Sequence, residues 1–88
     1  MEDTRLLATF VKDGRIVTMP TRRAKRLVVL DHVAQSFEPG RTYPETEVNE
    51  LLREFHDDVA ALRRYLVDEG FLTSESNVYW RTGVTVPV

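Results

Sequence analysis

The chain predicts an α+β fold, and three observations between Tyr43 and Arg81 carry the prediction. Val48, Leu51, Leu52 and Phe55 fall at helical spacing, one face of an amphipathic helix. After a short break at His56-Asp57, Val59, Leu62 and Leu66 repeat that spacing, and Gly70 ends the run. Phe71-Leu72-Thr73 and Val78-Tyr79-Trp80-Arg81 are strand-like and flank the turn-forming Ser74-Glu75-Ser76-Asn77. Helix, tight turn, helix and hairpin, in that order, describe a winged helix-turn-helix: a three-helix core with a small antiparallel sheet, here preceded by a short N-terminal helix and strand.

Taken in order, Asp3 to about Val11 reads as a helix capped by Asp3 or Thr4, with Leu6, Leu7 and Phe10 on its apolar side. Asp13-Gly14 breaks it, and Arg15-Ile16-Val17-Thr18-Met19 is a brief strand stopped by Pro20. This segment serves either as a flap over the core, the favoured reading, or as a dimer contact. The longest helix follows, with Thr21 as its expected N-cap and a core stripe of Leu27, Leu30, Val33, Ala34 and Phe37, flanked by Ala24 and Val28. Pro39-Gly40 turns the chain, and Arg41-Thr42-Tyr43 is long enough for the first strand of the sheet. Pro44 suits a helix start because a missing N–H costs nothing there, and Glu45 and Glu47 sit where the helix dipole favours anions. That helix is expected to end near Phe55, with Asp57 the better cap for the next one and Gly70-Phe71 a Schellman ending. Val84-Thr85-Val86-Pro87-Val88 alternates weakly, as a strand or a frayed tail.

At 88 residues the chain has room for one domain and one small core. Residues 1–20 form an N-terminal extension, 21–81 the body, and 82–88 a tail. The absence of cysteine excludes disulfides and thiolate zinc sites. No apolar run approaches membrane-spanning length, and the acidic start lacks the apolar core of a signal peptide, so the expected location is cytoplasmic, without a membrane partner. The net charge of −2 argues against strong non-specific nucleic-acid binding by the whole surface. It conceals two poles. Lys12, Arg15, Arg22, Arg23, Lys25 and Arg26 stand against Asp13 alone, whereas Asp31 to Asp58 holds eight acids against Arg41 and Arg53. Opposed poles of this kind serve to choose or orient a partner.

Arg22, Arg23, Lys25 and Arg26 crowd positive charge onto a helix start, against the dipole, and Arg22 and Arg26 repel one another at i, i+4. A local rule broken without local gain suggests contact with phosphates or an acidic partner surface; the plainer reading pairs these arginines with acids of the same molecule. In a DNA binder the second helix of the helix-turn-helix reads the groove through its N-terminal residues. Here those residues are Asp57 and Asp58, best explained as caps, and the hairpin tip carries Glu75. Only Arg63, Arg64 and Arg81 are placed to reach a backbone or base edge, and Arg64 has Asp68 one turn on as a partner. Tyr79 or Trp80 can stack on a base, but alternation turns one of them to the core. Glu54, His56, Asp57 and Asp58 form at most a weak metal or acid–base candidate, because adjacent turn residues do not converge as an i, i+4 pair does; His32 lies alone on another helix. No nucleophile elbow or glycine-rich phosphate loop is present, so neither an enzyme nor a cofactor is expected.

Tyr43-Pro44-Glu45-Thr46-Glu47-Val48-Asn49, Phe55-His56-Asp57-Asp58, Leu62-Arg63-Arg64-Tyr65-Leu66, Gly70-Phe71-Leu72 and Tyr79-Trp80-Arg81 together resemble the signature of domain-of-unknown-function family 2087. The resemblance extends back through Pro20 and Asp13-Gly14-Arg15. It implies a bacterial, cytoplasmic domain that occurs alone or is similar to C-terminal modules fused to ArsR-like winged-helix regulators, with no catalytic or ligand residue to carry over. Pro44 departs from the pattern: the family usually places serine or threonine there, so a side-chain N-cap is lost. The leading expectation is a transcription-regulator-type domain that binds DNA through Arg22, Arg23, Lys25, Arg26, Arg63, Arg64 and Arg81. The alternative is a protein-interaction module, a homodimer or a docking domain for a regulator protein, without direct DNA binding.

Overall fold

The computed structural model describes residues 2–82. The first helix (Glu2–Phe10) already contains Asp3 and Thr4, so neither is the N-cap expected of it; the alternating tail from Val84 to Val88 lies outside the described residues. Among the described residues, four helices and two small antiparallel sheets make an α+β fold, in an order compatible with the expected winged helix: α1 (Glu2–Phe10), β1 (Val11–Lys12), β2 (Arg15–Ile16), α2 (Arg23–Ala34), β3 (Thr42–Pro44), α3 (Glu45–Arg53), α4 (Val59–Asp68), β4 (Leu72–Glu75) and β5 (Val78–Arg81). The larger sheet runs β3-β5-β4, so the last strand lies between the two earlier ones.

Asp13-Gly14 does more than end a helix. Its residues lie at φ +53° and +79°, and Val11 pairs with Ile16 and Lys12 with Arg15 across it. An Asp-Gly pair with both residues left-handed is a favoured two-residue hairpin turn. The first strand of that hairpin follows α1 without a break, and the second is shorter than the expected strand to Met19. The hairpin is tied to the far end of α3. The Ile16 amide donates to the Phe55 carbonyl at 2.7 Å, and the Arg15 guanidinium donates to the Arg53 carbonyl at 2.8 Å and the Asp57 carboxylate at 2.7 Å. Carbonyls that a helix leaves unpaired at its C-terminus thus receive donors from residues about forty positions earlier.

α2 starts later than its sequence suggests. Arg22, not Thr21, occupies the N-cap, in extended conformation and without a side-chain cap, while the Thr21 carbonyl accepts from Arg26 Nη1 at 3.1 Å. The buried face is also rotated. Val29, Leu30, Val33, Ala34 and Phe37 are fully enclosed, Leu27 and Val28 are half-buried, and Ala24 is exposed. One turn before Leu30, Arg26 falls on that inward face.

α3 begins at Glu45, with Pro44 as the extended residue before it rather than the first helical one. The missing side-chain cap is compensated from across the fold, where the Glu45 amide donates to the Asn77 carbonyl of the hairpin turn at 2.9 Å. α3 ends at Arg53, two residues short of Phe55. Asp58 caps α4, accepting from the Ala61 amide at 3.1 Å, whereas Asp57, the expected cap, is engaged by Arg15. At the other end, Phe71 N donates to the Leu66 carbonyl and Gly70 N to the Val67 carbonyl, with Gly70 at φ +81°. These are the two bonds of a Schellman ending. Ser76 and Asn77, both at positive φ, close a two-residue turn, so β4 runs through Ser74 and Glu75, which lie in the expected loop.

A single core joins Ile16, the α2 face, Tyr43, Val48, Leu52, Leu62, Leu66, Leu72 and Tyr79. Leu6, Leu7 and Phe10 of α1 pack against it, which is the flap arrangement. Tyr79 is buried and its neighbour Trp80 half-buried, as strand alternation requires. No helix among the described residues is long and apolar enough to cross a membrane.

Candidate nucleic-acid interface

The seven cations expected to touch nucleic acid divide into two groups. Arg23 grips Glu69 at the end of α4 side-on, through the one guanidinium edge that carries Nε, at 3.0 and 3.1 Å, and Nη2, at 2.7 Å. Such a fork onto a carboxylate is a strong, directional contact. Hydrogen bonding from Arg23 holds the Glu69 carboxyl below the usual carboxylate range, against the opposing effect of burial, and Glu69 in turn raises Arg23. Arg26 supports the same carboxylate from 4.0 Å and lies over the Tyr65 ring, 5.0 Å from its centroid. The rotation of α2 explains its enclosure: the Arg26 side chain is 18% exposed and that of Glu69 12%. Arg26 Nε is buried without a partner among the described residues.

Arg63 is turned the other way. It donates to the Asn49 side chain and lies 3.7 Å from Glu45, whose carboxylate also accepts from the Tyr79 hydroxyl at 2.8 Å. Burial, then the bond to Glu45, pushes the Tyr79 hydroxyl above its usual value. Arg81 points inward from β5 and donates to the Phe37 carbonyl at 3.3 Å. Four of the seven are therefore engaged by groups of the chain itself. The remaining three, Arg22, Lys25 and Arg64, are exposed, and their side chains make no hydrogen bond or ion pair among the described residues. Arg64 does not pair with Asp68. The two instead line a shallow cleft with Ala61 and Tyr65.

The structure thus separates Arg63 from Arg64: one braces α3 against α4, the other faces outward. Arg64 shares its neighbourhood with Tyr65, on which Arg26 rests, so the start of α2 and the second half of α4 meet on one side of the molecule. The approach to α4 and its first turn, the part that enters a groove in a reading helix, present exposed Asp57, Asp58 and Ala60. The hairpin tip presents Glu75. Glu69, which organises two of the seven cations, escaped the sequence reading. Tyr65 and Glu69 fall one turn apart at the end of α4, but that spacing does not announce Arg23 or Arg26, which the meeting of α2 and α4 brings to them.

Around the α3–α4 turn the titratable groups serve the backbone. His56 Nδ1 accepts from the Asp58 amide at 3.0 Å, Asp58 caps α4, and Asp57 holds Arg15. Among the described residues no three of His, Asp and Glu converge as a metal-binding group.

Residues 15–81 match the family model described as "Uncharacterized protein conserved in bacteria (DUF2087)". No curated protein and no solved structure matches the chain. With most of its length matched, and the match opening at the arginine that ties the first hairpin to α3, the chain belongs to the DUF2087 family of bacterial proteins.

Proposed function

We propose that this chain is a cytoplasmic, non-enzymatic winged-helix domain of the transcription-regulator type that acts by contacting a protein partner. The supporting observation is the fate of the candidate cations: Arg23, Arg26, Arg63 and Arg81 are held by Glu69, Tyr65, Asn49, Glu45 and the Phe37 carbonyl. At Arg26, Arg63 and Arg81, none of them exposed, a phosphate has to displace those partners before it gains a contact; Arg23 stays 67% exposed beyond its bonds to Glu69. Approach at the start of α4 also brings a polyanion against the carboxylate of its cap, Asp58, and a like charge at that range opposes docking. Titration of a fluorescent duplex between roughly 50 and 300 mM salt tests this reading. The expected result is no saturable binding at the lower salt, together with recovery of a bacterial regulator by cross-linking in cells. Tight binding that falls steeply with salt and is lost in Arg64→Glu overturns it.

One observation favours a second reading. Arg22, Lys25 and Arg64 remain available, and three phosphate contacts support a weak, sequence-independent hold on DNA. That reading requires a salt slope of roughly −3 on a logarithmic scale.

A further inference from the structure

Resting on the partner-contact reading, we infer that the groove between the end of α1 and the start of α2 takes a partner segment in which one bulky apolar side chain is flanked by carboxylates. The groove has a volume of about 230 Å³. That is below the roughly 300–1,000 Å³ of a drug-sized ligand site and suits a single large side chain. Phe10, Met19 and Pro20 give it an apolar floor, and Arg22 and Lys25 stand at its edge. Val17, just before the groove-lining Thr18, is the one exposed large hydrophobic among the described residues, 57% accessible, and its backbone is pinned by a 2.8 Å bond from its amide to the Phe10 carbonyl.

Charge complementarity selects the occupant. The side chains of Arg22 and Lys25 have no partner among the described residues, and they sit at a helix N-terminus where the dipole disfavours cations. Arg22 provides no side-chain cap, and the first turn of α2 contains no acid. An incoming carboxylate relieves each of these features together: it pairs the cations, meets the uncapped amides and answers the dipole. Phosphate supplies the charge but leaves Phe10, Met19 and Val17 uncovered, so an amphipathic acidic peptide fits this place better than nucleic acid does.

The probe is a fluorescein-labelled peptide of about ten residues, rich in glutamate around one phenylalanine, as in other short-segment recognition modes. Its binding is followed by anisotropy and by amide NMR shifts on the whole chain. Saturable binding is expected, with the largest shifts at Thr18, Met19, Thr21 and Lys25. The affinity is expected to fall about tenfold or more in the double variant Arg22→Glu, Lys25→Glu, and severalfold in Val17→Asp. Acids at these two positions agree with the helix dipole, so the double variant is expected to melt no lower than the parent, and lost binding cannot be assigned to unfolding. Shifts confined to another face, or binding indifferent to the charge reversal, overturn the groove assignment while leaving the partner-contact reading to stand. A duplex that shifts the same amides more strongly than the peptide overturns both. Self-association with rising concentration that the double variant abolishes replaces the acidic segment by a second copy of this chain, and overturns the assignment to a foreign partner.

Discussion

Glu69 shows how one side chain decides what its neighbours are free to do. With its carboxylate in place, Arg23 is forked onto it and Arg26 can lie enclosed over Tyr65. Glu69→Gln keeps the shape and removes the charge, and it should lower the melting temperature, since a guanidinium at 18% exposure loses its counter-charge. The pH dependence has a definite sign. The folded carboxyl titrates below its ordinary 4.5, so its contribution is complete above that value and disappears as pH falls through the folded one. Urea midpoints compared at neutral pH and below 4.5 should converge between the parent and Glu69→Gln at the acid end, and a constant gap contradicts the assignment. The residue scale also shows where the sequence was opaque. The conflict of four cations with a helix dipole was visible in the chain, and so was the possibility that they pair internally. The partner was not, because Arg23 and Glu69 are brought together by a helix crossing that no local spacing encodes. The inward position of Arg26 was closer to hand, for a stripe centred on Val29 places it one turn before Leu30.

At the scale of elements, adjacent aspartates have separate tasks. Asp58 caps α4 and Asp57 meets Arg15 in an exposed pair. Asp58→Ala should cost about 1 kcal/mol by chemical denaturation, the usual loss for a cap. Asp57→Ala should cost less, roughly 0–1 kcal/mol, because surface ion pairs contribute little. A reversed order reverses the assignment. Gly70→Ala should cost about 1–2 kcal/mol through its left-handed backbone alone, since a methyl there meets no atom within 4 Å. The helices and the hairpin β4-β5 were legible because periodicity and turn residues are local. The hairpin β1-β2 was half legible: Asp13-Gly14 is a strong turn signal, but strands of two residues are too short to show alternation. The later start of α2 was obscured by Thr21, a good capping residue placed just ahead of the helix and left unused as a cap.

For the molecule as a whole, one small core carries the stability. Leu52→Ala should cost about 2–5 kcal/mol at a fully enclosed site. Against the roughly 5–15 kcal/mol typical of such domains, that is a large share, and thermal unfolding should reveal it directly. The fold class was readable from pattern; the disposition of its charges was not, because a sequence shows which residues carry charge and hides which of them the fold neutralises. Arg15 and Ile16 add a consequence for where this domain can be cut. Their donors satisfy the carbonyls of Arg53 and Phe55, so the leading arm is a brace holding the elbow between α3 and α4. A chain trimmed to begin at residue 21 would keep every helix of the body yet loosen that elbow. Strain or shelter applied to the arm by a binding partner would be transmitted to the angle at which α4 is presented.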